Sequence, residues 1–78
     1  MQIKQVVGEI KINETNKLVI NVTHFKVKDK LDMRNWFLSP ETGEWLPTQR
    51  GFTIELKEIP NLIRLLGLID IPKEEIKV

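Results

Sequence analysis

The stretch FTIELKEIPNLIRLLGLI, residues 52–69, changes its hydrophobic period partway along. From Phe52 to Leu56 apolar and polar residues alternate, the period of a half-buried strand. From Ile59 onward the period is about 3.6, and Ile59, Leu62, Ile63 and Leu66 fall on one helical face. Pro60 has no amide hydrogen, so a helix tolerates it only in the first turn. The helix is therefore expected over about 58–69, with a short tail over 70–78.

Everything before this stretch reads as strand and turn. Residues 2–12, QIKQVVGEIKI, are rich in Val and Ile, and Gly8 marks a bulge position inside them. NETN, residues 13–16, is a turn by composition. Residues 17–28, KLVINVTHFKVK, form the clearest strand. Leu18, Ile20 and Val22 point one way, and Val19, Thr23, Phe25 and Val27 the other. The chain is expected to reverse near Lys28–Lys30. Residues 31–38, LDMRNWFL, then return as a partner strand, with Leu31, Met33 and Phe37 alternating against Asp32, Arg34 and Trp36. Residues 39–51, with two prolines and two glycines, read as a loop before the fourth strand at 52–56. The expected class is α+β: a four-stranded antiparallel sheet followed by a C-terminal amphipathic helix, in one domain spanning 1–78.

A 78-residue domain buries only about 60% of the surface its unfolded chain exposes. Such domains commonly need a disulfide, a metal or a second chain. There is no cysteine and a single histidine, so disulfides and thiolate sites are excluded and no zinc spacing is visible. The helix points to the remaining option. Leu65, Leu68 and Ile69 widen its apolar stripe, and only Asn61 and Arg64 interrupt it with strong polarity. Leu62, Leu65, Leu66 and Ile69 are the candidate contacts of a helix-mediated homodimer.

Twelve basic and eleven acidic residues leave a net charge of +1, a weak argument for nucleic acid by itself. The excess lies in HFKVKDKLDMRNWF, residues 24–37, where Lys26, Lys28, Lys30 and Arg34 outnumber Asp29 and Asp32 among aromatic groups. The N-terminus has no continuous apolar core of a signal peptide, and no apolar run reaches membrane-spanning length. A soluble, cytoplasmic protein without membrane contact is expected. Catalytic chemistry finds no footing: His24 is alone, Ser39 has no visible base, and no phosphate-binding glycine motif occurs. The expectation is a non-enzyme without cofactor, metal or small-molecule substrate.

The order of these elements, with Phe25-Lys26-x-Lys28, then Asp32-Met33-Arg34 followed by Trp36 and Phe37, then Gly43-Glu44, Pro47 and Arg50-Gly51, resembles the transcriptional coactivator family called positive cofactor four. The resemblance covers about residues 18–69. It implies a curved sheet, dimerisation through the C-terminal helices, and binding of single-stranded DNA in transcription, replication or repair. In a bacterial member this would be a nucleoid-associated role. It also implies the roles of individual residues. Phe25 stacks on a base, Lys26 and Lys28 meet phosphates, Arg34 contacts the strand from the neighbouring β-strand, and Phe37 offers a second stacking surface. Arg50 and Gly51 match a basic residue and the glycine after it. Thr23 and Gln49 stand where the family commonly has basic residues, and Val27 where it often has glycine.

Each assignment has a plainer counterpart. Phe25 shares parity with Val19 and Val27, and Phe37 with Leu31 and Met33, so either ring also reads as core. Trp36, on the other side of its strand, is the next stacking candidate. Trp45 reads as a loop or packing residue. RNA is the alternative ligand, since nothing here reads a 2′-hydroxyl. A protein-interaction module that kept the fold and binds nucleic acid weakly is the alternative class.

Overall fold

The computed structural model describes residues 2–72. Four strands form one antiparallel sheet in sequential order: β1 (Gln2–Asn13), β2 (Asn16–Phe25), β3 (Lys28–Leu38) and β4 (Trp45–Glu55). A single 3₁₀ turn (Leu56–Glu58) leads into helix α1 (Ile59–Leu66). The sheet-then-helix order matches the period change in the sequence, and Pro60 sits in the first turn of α1. The helix ends earlier than expected, at Leu66. Gly67 follows as its cap, donating its amide to the Ile63 carbonyl at 2.9 Å. Of the expected tail, residues 73–78 lie outside the described residues.

Three boundaries differ from expectation, each for a local reason. The β2–β3 reversal falls at Lys26–Val27, not at 28–30, so β2 ends at Phe25 and β3 begins at Lys28. Lys26 makes this possible by adopting φ 60° in the left-handed region. A two-residue hairpin loop needs such a residue, and the β-branched Val27 had masked the turn. The expected loop 39–51 is strand from Trp45 onward. Its prolines mislead: β4 is an edge strand, where Pro47 costs no ladder bond that a central strand would need. The true loop closes with the Gly43 amide on the Ser39 carbonyl at 2.9 Å and the Ser39 amide on the Glu44 carbonyl at 2.8 Å. Gly43 supplies the φ of 72° that this turn requires.

The β2–β3 ladder runs unbroken from Asn16↔Phe37 to Phe25↔Lys28. The outer ladders are irregular. β1 slips against β2 in three places, one of them between Val6 and Gly8. On β4, Thr48, Gln49 and Arg50 bulge opposite Asn35, between the pairs Arg34↔Gly51 and Trp36↔Pro47. Such bulges twist a sheet and blunt its edges.

The molecule is a single layer, 37 × 36 × 18 Å, with a radius of gyration of 14.6 Å. A compact chain of this length would have about 11.5 Å. Among the described residues only Val19 and Leu31 are buried hydrophobic residues, on opposite faces of the sheet. No residue of α1 is buried.

Candidate nucleic-acid interface

The unbroken β2–β3 register sorts the side chains onto two faces. Across it Lys17 pairs with Trp36, Val19 with Arg34, Asn21 with Asp32, Thr23 with Lys30 and Phe25 with Lys28. All ten therefore share one face. The opposite face carries Leu18, Ile20 and Val22 from β2 with Leu31, Met33 and Phe37 from β3. Leu46, Phe52 and Ile54 of β4 extend it through their pairing with Phe37, Met33 and Leu31. One face is thus basic and aromatic, the other apolar.

Phe25, Lys28, Arg34 and Trp36 share the basic face, Phe25 and Lys28 at its hairpin end and Arg34 and Trp36 further along β3; Phe37 does not. It lies behind the sheet, opposite Leu46. Phe25 is 51% exposed at the end of β2, and the Lys26 ammonium lies 5.5 Å from the centre of its ring. Lys28 is exposed and meets Glu55 at 3.5 Å. Lys28 and Lys57 hold the Glu55 carboxyl below its ordinary pKa, Lys28 having the larger effect. Arg50 is exposed on the β4 bulge.

One further residue, Trp45, joins this face beside Lys17. Trp45 opens β4, and the Lys17 ammonium lies 4.5 Å from its ring centre while also reaching Glu9 at 2.9 Å. Lys17 was legible in the sequence, since it shares parity with Val19 and Phe25. Trp45 was hidden by the loop assignment.

Between β1 and β4 the basic face holds an open depression of about 440 Å³, with Asn21, Asp32, Arg34 and Trp36 in its wall. Arg34 is firmly held there. Its Nη2 and Nε donate to Asp32 Oδ1 and Oδ2 at 2.9 and 3.3 Å, and Nη1 donates to the Thr48 carbonyl at 3.0 Å. Asp32 is buried, so this two-pronged pair orients the guanidinium and cancels much of its charge. Thr48 locks the bulge in turn, donating to the Asn35 carbonyl at 2.7 Å and accepting from the Arg50 amide at 3.1 Å. Two polar atoms of these side chains, Asn21 Oδ1 and Trp36 Nε1, are enclosed and have no hydrogen-bond partner among the described residues.

Gly51 has a packing role that the sequence did not show. A Cβ there would lie 2.5 Å from the Met33 carbonyl oxygen and 2.8 Å from Arg34 Cα, both backbone atoms. Gly51→Ala is expected to cost about 1–3 kcal/mol by overpacking. Thermal melting would register it, and an unchanged melting temperature would show that β4 yields freely.

At the hairpin end, Asp29 ties two strands to the turn. It accepts from Lys4 Nζ at 2.6 Å and lies 2.7 Å from His24 Nδ1. These hydrogen bonds, that from Lys4 first, hold its carboxyl below its ordinary pKa.

The fold is an open four-stranded antiparallel sheet with one basic, aromatic face, followed by a short C-terminal helix. The chain belongs to the Transcriptional Coactivator p15 (PC4) family, whose model matches residues 12–65. That family is non-catalytic and binds single-stranded DNA. The fold is similar to the crystal structure of a PC4 homolog from Burkholderia pseudomallei. The TM-score is 0.77 at 19% identity, over 86% of this chain and 88% of that one. No curated protein sequence matches the chain significantly.

Proposed function

We propose that the protein is a non-catalytic, homodimeric single-stranded DNA-binding protein with little sequence preference, acting in transcription regulation or in DNA replication and repair. The observation that carries this is the shared face of Phe25, Lys28, Arg34 and Trp36. Single strands expose base faces and phosphates together, and a groove holds them with flat rings between cations. Lys26, in the β2–β3 turn, and Arg50, on the β4 bulge, are exposed and supply phosphate contacts. Arg34, fixed by Asp32, acts as an oriented donor more than as a free charge. Phe37 belongs with Leu62, Leu65, Leu66 and Ile69 to the apolar side that a second copy covers.

Anisotropy titrations of labelled oligo-dT, matched duplex and matched RNA across a salt series test this. Oligo-dT should bind more tightly than duplex. Contacts from Lys26, Lys28 and Arg50 would give a log–log salt slope of about −2, at roughly −0.7 per phosphate. A slope near zero, or equal binding of duplex, would count against the groove. RNA binding as well as DNA would make RNA an equal ligand.

One observation favours a protein-interaction module instead. The Arg34 charge is largely spent on Asp32, and Thr23 and Gln49 add no positive charge beside it. In that case single strands would bind no better than heparin.

A further inference from the structure

Phe25 and Trp36, the two rings of the basic face placed to stack on bases, do not stand side by side. Trp36 is in register with Lys17, and along β2 Lys17 lies about 26 Å from Phe25, at roughly 3.3 Å per residue. A base on each ring leaves the bases between them to lie on something else. The β2 residues there that point to this face, Val19, Asn21 and Thr23, are all buried and form a floor.

The side chains that rise beside this floor come from β1. Ile3 is in register with Thr23 and Val6 with Asn21, so both belong to the basic face. They are 48% and 68% exposed, two bare aliphatic groups beside cations. On the other side of the same floor, β3 sets Lys30 against Thr23 and Arg34 against Val19. The cross-section is an aliphatic wall, a floor of short side chains and a cationic wall. The aliphatic row stops at Glu9, in register with Val19, whose carboxylate lies 2.9 Å from the Lys17 ammonium. Ile3, Val6 and Trp36 line one shallow depression of about 180 Å³, and Ile3 and Trp36 also line the larger one, so the wall runs up to the indole.

A single strand is divided in the same way, with base rings to one side and phosphates to the other. Charge sets which way it lies: phosphates toward Lys30 and Arg34, bases toward β1. We propose that β1 is part of the strand-binding surface, with Ile3 and Val6 as an apolar wall against which the bases between Phe25 and Trp36 pack. This rests on the single-strand reading of the face. It extends that reading onto a strand most of which precedes residue 12, where the family match begins. Packing against base rings is tolerant of sequence and adds no phosphate contact.

The test compares the native chain with an Ile3→Thr, Val6→Thr double variant, which keeps β-branched side chains on the edge strand. Anisotropy at low salt uses oligo-dT and an abasic deoxyribose-phosphate strand of the same length. The variant should bind oligo-dT about tenfold more weakly, the scale of two methyl groups no longer covered. Its salt slope should match the native one, and the abasic strand should bind both proteins alike. An equal loss on both strands would show that the pair only holds the sheet in shape, and would overturn the proposal. A shallower salt slope would make the loss one of phosphate contact and overturn it too. So would undiminished affinity for oligo-dT. A variant that sediments as one chain where the native chain sediments as two would give Ile3 and Val6 to assembly instead. Failure of the native chain to bind any strand would overturn the single-strand reading, and the part of β1 with it.

Discussion

Replacing Phe25 and Trp36 together by alanine is expected to lower affinity for oligo-dT by about a hundredfold at fixed salt. Each ring that stacks on a base contributes roughly 1–3 kcal/mol, and about 1.4 kcal/mol is tenfold in affinity. Phe25 is half exposed, so its truncation opens no core cavity. Trp36 is more enclosed, and circular dichroism and a melting curve must show that the double variant is folded. Unaltered binding by a folded variant would remove both rings from the interface. Phe37→Ala separates the roles of the two faces. Its position opposite Leu46 predicts weakened assembly. Loss of strand affinity with assembly intact would instead return Phe37 to the groove.

The second large effect is on assembly. The native chain should sediment at twice its 9.1 kDa mass. Leu65→Glu with Ile69→Glu should sediment as one chain and lose its cooperative melting transition. A lone sheet layer cannot bury its apolar face by itself and needs a second layer. Here Phe52 is 48% exposed behind the sheet, and Leu65, Leu66 and Ile69 are 52–61% exposed on and just after the helix. Among the described residues two are buried and apolar, too few to offset the conformational entropy of ordering them. Two charges in the covered face would each be desolvated without a partner, a cost that assembly could not absorb. A native chain that sediments as a monomer and melts cooperatively would overturn the dimer.

Much of the architecture was legible because it rests on short-range periodicity. The switch at residues 52–69 showed strand passing to helix, and Pro60 located the helix start. Alternation within residues 17–25 sorted β2 into two sides, and alternation within 31–38 did the same for β3. The β4 extension was less legible because Pro47 and Gly51 look like loop residues. Pro47 is acceptable only because β4 lies at an edge, and Gly51 is needed because the β3 backbone comes so close.

The sequence by itself determined the two sides of β2 and of β3 and the over-apolar helix. Tertiary structure decided which side of β3 joins which side of β2. A three-residue reversal over 28–30 would pair Val27 with Leu31 and set Phe25 on the same face as Phe37. The two-residue turn at Lys26–Val27 pairs Phe25 with Lys28, so Phe25 shares its face with Arg34 and Trp36. Side chains alternate with a period of two, so one residue in the length of a turn exchanges the faces of the returning strand. Local alternation is blind to that choice; it is made by the left-handed Lys26 and by the packing of the whole ladder.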